Sequence, residues 1–130
     1  MTEGVVSGSS GRGLQVTLYV VSALLTALFL FAGLPKVMGA QQPVEGFRSM
    51  GFSDGFRLFI GAAEVSGAIA LWIPKLAFWA ACGLVVIMIG AVHTHLTHLD
   101  AAGPPTGAGV ALAMLLFIAW ARRKSALFLS

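Results

Sequence analysis

The sequence predicts an all-α fold, an integral membrane four-helix bundle, and three observations carry that prediction. Hydrophobic residues make up 58% of the chain and charged residues only 10%, whereas a soluble domain carries about 25% charge. The apolar residues gather into four runs separated by short polar or Pro/Gly-containing breaks. The basic residues stand at the ends of those runs, a placement that suits phospholipid head groups and not nucleic acid. With 130 residues there is room for one domain.

Residues 1–13 are rich in Gly and Ser, contain the acidic Glu3 and have no basic cluster ahead of the first apolar run. They read as a flexible tail rather than a cleaved signal peptide. The first span is expected over 14–34, about 20 residues, enough to cross a hydrocarbon layer roughly 30 Å thick. Pro35 and Lys36 close it. From Val37 to Asp54 polar residues alternate with Gly-Phe pairs at 46–47, 51–52 and 55–56. This is either an interfacial segment, with phenylalanines among the head groups, or an ordered loop.

The second span is expected over 56–73. Only Pro74 and Lys75 separate it from the third, over 76–94, so these two are antiparallel neighbours. Gly103-Pro104-Pro105 breaks the chain before a shorter fourth run over 106–121, and residues 122–130 form a basic tail opened by Arg122, Arg123 and Lys124. Four spans put both ends of the chain on one side, with Arg12, Lys75, Arg122, Arg123 and Lys124. Lys36, Arg48 and Arg57 fall on the other side. The bias of basic residues places both termini in the cytoplasm.

The second run holds the one ionisable residue deep in an apolar stretch, Glu64. A carboxylate near the bilayer centre costs roughly 3 kcal/mol, so it turns inward, away from lipid. Gly61, Gly67 and Ala68 lie three or four residues away on the same helical face and let neighbouring helices approach. In the four-span arrangement Glu64 sits roughly 12 Å inside the extracytoplasmic boundary. Arg57 precedes it on the same face, Lys36 reaches in from the end of the first span, and His93 lies near the matching end of the third. Lys36, Arg57, Glu64 and His93 are therefore the candidate intramembrane polar site. It could receive a head group, a quinone or a proton, or serve as an ion pair that fastens the bundle.

All three histidines fall between positions 93 and 98. Zinc or copper could use His95 and His98, which share a helical face, together with Asp100. No recognised ligand spacing is present, and no metal site is expected. Cys82 is the single cysteine, which excludes dithiol chemistry within one chain; it reads as a small packing residue. With no redox cofactor supplied by its own residues, the chain is not expected to act as an oxidoreductase alone.

Phe29-Leu-Phe-Ala-Gly-Leu-Pro-Lys36, the Gly/Phe loop, Gly61-Ala-Ala-Glu64, Leu71-Trp-Ile-Pro74 and His93 together resemble the DoxX-like family over about residues 18–120. The resemblance implies a four-helix membrane protein of the bacterial inner membrane, with Lys36 and Glu64 at the family's polar pair. It also implies an accessory or quinone-interacting subunit of a membrane oxidoreductase complex. Quinone or a bound lipid would be its ligand, and the bilayer, other membrane subunits or a second copy its partners. The alternative is a non-enzymatic scaffold or assembly factor that binds other transmembrane helices. The chain lacks the cysteine pair used by thiol-handling relatives.

Overall fold

The computed structural model describes residues 2–99 and 105–124, with side chains from residue 11 onward. The described residues form five helices in this order: α1 (Thr2–Met38), α2 (Gln41–Ser49), α3 (Asp54–Ala70), α4 (Pro74–Thr97) and α5 (Thr106–Arg122). Part of α1, Gly11–Met38, and all of α4 are long and apolar enough to cross a membrane; α5 is a shorter apolar helix. The second expected span, α3, is 17 residues long.

Helix α1 outruns the expected 14–34 at both ends. It begins at Thr2, within the stretch read as a flexible tail, because a helix nucleated in the apolar run gains a hydrogen bond for each residue added. At the other end it passes through Pro35, which removes one intrahelical bond without ending the helix. What ends it is Gly39, whose φ of 74° is left-handed. There the Ala40 amide folds back to the Pro35 carbonyl at 2.9 Å, closing the helix with a Schellman turn.

The stretch from Val37 to Asp54, expected as a loop or an interfacial segment, contains α2. Its apolar residues lie on one side, and none of its side chains is buried. Gly51, with φ 86°, ends it as Gly39 ends α1: the Phe52 amide bonds the Phe47 carbonyl at 2.9 Å. Helix α3 starts on a cap, the Ser53 hydroxyl accepting from the Phe56 amide at 3.1 Å. Helix α4 starts with Pro74 in its first turn, where the missing N–H matters least.

α1 packs on α3, α3 on α4, α4 on α5 and α5 back on α1, with α2 resting on α3 and α1. α1 and α3 are antiparallel, tied at one end by Lys36 to Glu64 and at the other by the Trp72 indole, which donates to Thr26 Oγ1 at 2.7 Å. Leu18, Leu25 and Phe29 of α1 meet Leu84 of α4 and Leu115 and Ile118 of α5 in one buried apolar cluster. Asp100 and residues 125–130 of the basic tail lie outside the described residues.

Candidate functional site

Four residues of α3 spaced three or four apart are buried on one face: Arg57, Gly61, Glu64 and Ala68. The middle of this face lies against the last turns of α1. A Cβ on Gly61 would stand 2.9 Å from the Gly33 carbonyl, and one on Gly33 would stand 3.0 Å from the Gly61 carbonyl. The two backbones cross at mutual glycines, a close approach that only small residues allow. Three residues beyond each glycine in the sequence come the two charges. Lys36 Nζ donates to Glu64 Oε1 at 2.7 Å, with the carboxylate side chain 3% exposed and the lysine side chain 17%.

Arg57 shares the face of Glu64 but does not bond to it. It is bound nearer the helix start, its Nε donating to the Lys36 carbonyl at 3.1 Å and its Nη1 to Asp54 Oδ1 at 2.9 Å. Asp54 in turn takes both prongs of Arg48 from α2, at 3.1 and 2.8 Å, a two-point match of guanidinium to carboxylate. Arg48's hydrogen bond, with help from the charges of Arg48 and Arg57, holds the Asp54 carboxyl below the usual carboxylate range. A clasp on the surface is thus continuous with the backbone of Lys36, the residue whose ammonium meets the buried carboxylate.

Lys36 and Glu64 line a cavity of ≈ 500 Å³. Its walls are apolar: Phe47, Met50 and Phe52 on the side of α2, Phe59 and Ile60 from α3, Ile87 and Met88 from α4. The rings of Phe47, Phe52 and Phe56 pack together with centroids 5.0–6.2 Å apart. A largely apolar hollow with a few convergent polar groups is the usual form of a small-molecule site.

The family model described as the DoxX-like family matches residues 20–121. The chain belongs to the DoxX-like family. No curated protein and no solved structure matches it. Family membership and the two helices of spanning length point to a membrane protein.

In this DoxX-like chain the histidines divide. His93 and His95 line the cavity with the Lys36–Glu64 pair. The His98 ring lies 6.5 Å from Phe52, and its Nδ1 is 3.0 Å from Thr97 Oγ1. Among the described residues no three His, Cys, Asp or Glu side chains come together as a metal site would require; Asp100, the third metal candidate, lies outside them. Cys82 is half-buried in α4.

Two parts of the site escape sequence reading. One is the aromatic wall: the Gly-Phe pairs carry its signal, since each glycine stands just before a ring that lines the cavity. The other is the clasp, whose members are visible as charges but whose pairing depends on α2 turning Arg48 back over the start of α3.

Proposed function

We propose that the chain is an integral membrane protein of the bacterial inner membrane, its four long helices crossing as a bundle. In this reading it is the quinone-interacting accessory subunit of a membrane oxidoreductase complex. The observation that carries it is the cavity: apolar walls lead to a half-buried ammonium and a buried carboxylate joined at 2.7 Å. A quinone head group needs hydrogen-bond donors for its carbonyls, and its reduced form needs acceptors for its hydroxyls. Lys36 offers the first and Glu64 the second. His93 and His95 stand on the same wall, within the family of groups that hand protons on. The electrons come from a partner subunit. With Arg12, Lys75 and Arg122–Lys124 at the ends of runs on one side, both termini face the cytoplasm.

The test is purification from native membranes in a mild detergent, with bound lipids and accompanying proteins identified by mass spectrometry. Quinone retained with the chain and a redox subunit alongside are expected, and Glu64→Gln should release the quinone while leaving the helical signal intact. Recovery of neither quinone nor a redox protein would reject this reading. A scaffold reading has one observation of its own. Gly83 and Gly90 lie seven apart on α4, and a Cβ on either would meet nothing within 4 Å, leaving a shallow track where another helix could lie. Recovery of non-redox transmembrane proteins alone would favour it.

A further inference from the structure

The cavity is closed on one side and open on another. Toward α2 it is covered by Phe47, Met50 and Phe52, with α2 held down by the Arg48–Asp54 clasp. Between α3 and α4 it is not covered. Phe59 and Val86 both line it, yet they are 65% and 69% exposed. Gly90 and His93, also on its wall, are exposed as well. If the helices lie in a bilayer, as proposed above, this gap faces hydrocarbon, and what reaches the cavity by that route is dissolved in lipid.

The floor limits the head group. Its ammonium and carboxylate already neutralise each other at 2.7 Å, so a charged head would arrive with no counter-charge and lose its hydration. The pair still has hydrogen bonds to give. Glu64 uses one oxygen on Lys36, and Lys36 uses one of its three N–H donors on Glu64. An acceptor and a donor side by side match a group that donates and accepts at once, which is a hydroxyl. The ≈ 500 Å³ has room for an alkyl chain below the head group. We infer that the cavity takes an uncharged, hydroxyl-headed lipid, which enters sideways between α3 and α4 and seats its hydroxyl on the Lys36–Glu64 pair. This holds for a reduced quinone or for a simple long-chain alcohol, and needs no redox partner.

The probe is a dodecanol carrying a diazirine in its chain, photolysed with the protein in phosphatidylcholine nanodiscs and mapped by mass spectrometry. Labels are expected on Phe52, Ile60, Ile87 or Met88. Unlabelled dodecanol should displace them, while dodecanoate and dodecyltrimethylammonium should need about tenfold more at equal membrane concentration. Gly90→Leu projects into the opening, where nothing else stands, and should cut labelling about tenfold. Gly83→Leu, equally uncrowded but off the cavity wall, should leave it unchanged. Labels spread over the outer helix faces, equal displacement by a charged competitor, or a Gly90→Leu variant that labels like the parent would each overturn the inference. Specific displacement by dodecanol in a protein that carries no native quinone would uphold it while removing the redox reading.

Discussion

The α1–α3 seam and the α4–α5 seam hold their helices together in different ways. At the first, backbones meet at Gly33 and Gly61, and directed bonds run along the line: Lys36 to Glu64, Arg57 to the Lys36 carbonyl, Trp72 to Thr26. Tyr19 stacks on Trp72 at 6.1 Å where the seam ends. At the second, the buried side chains are aliphatic, Ala77, Ala81, Leu84 and Met88 on α4 and Ala111, Leu115 and Ile118 on α5, with Leu84 also lying against Gly67 of α3. In the bilayer placement proposed above there is little hydrophobic drive to join helices, since acyl chains are as apolar as leucine. The aliphatic seam therefore depends on shape, and tolerates substitutions that keep volume. The polar seam specifies register, and is brittle wherever one partner is removed.

The largest expected effect comes from breaking the buried pair. Lys36→Met leaves Glu64 without its cation and should cost about 3–5 kcal/mol. Joining it to Glu64→Leu should recover most of that loss, because an apolar pair of similar volume carries no desolvation penalty. Leu115→Ala in the aliphatic seam should cost about 2 kcal/mol, the low end for such a truncation. Unfolding of the purified protein in detergent by a graded denaturant reads all three. If the single and double variants lost equal stability, the pair would not be what sets the polar seam apart.

Next in size is a contrast of sign between two glycines. In Gly61→Ala the new methyl meets the Gly33 carbonyl at 2.9 Å, and backbone has little room to yield, so a loss of about 1–3 kcal/mol is expected. In Gly90→Ala the methyl meets nothing, and replacing glycine inside a helix should gain about 0.5–1 kcal/mol. Melting temperatures moving in the same direction would show that α1 and α3 are less tightly apposed than their glycines imply.

Much of the polar seam was legible in the sequence. A lone carboxylate in an apolar run has to find a partner, and helix periodicity puts Gly61 beside it, while topology brings Lys36 to it from the end of α1. What periodicity could not decide was competition for Arg57. It lies on Glu64's face, but Asp54 stands three residues earlier on the same helix and holds it by an ion pair of 2.9 Å. The extent of α1 was hidden because Pro35 reads as a stop; the helix passes it and ends on Gly39, where a left-handed φ closes a local Schellman turn. Helix α2 was hidden by its Gln, Gly and Pro content, which suits a loop as well as a short helix. The cavity followed from neither run lengths nor charges, since its walls depend on where α2 sets down its phenylalanines.

The smallest effect tests whether the surface clasp belongs to the polar seam or merely adjoins it. Arg48 and Asp54 are exposed, with side chains 62% and 47% accessible, so screening makes their pair weak and sensitive to salt. The sign of its pH dependence is fixed all the same. Asp54 has a folded-state value lowered by Arg48, so the clasp contributes fully above the ordinary aspartate value of about 3.9. That contribution is lost as pH falls through the lowered value. Hydrogen exchange of the α2 amides, corrected for intrinsic rates, should stay flat from neutral pH down to that range and then quicken, while α3 amides around Glu64 keep their protection. Asp54→Asn tests whether the acid response belongs to the clasp. In that variant α2 should exchange faster at neutral pH and lose most of its acid response. An acid response unchanged by Asp54→Asn would detach the clasp from the seam. If instead α2 and the Glu64 region loosened together in Asp54→Asn, the bond from Arg57 to the Lys36 carbonyl would be shown to carry strain from the surface to the buried pair.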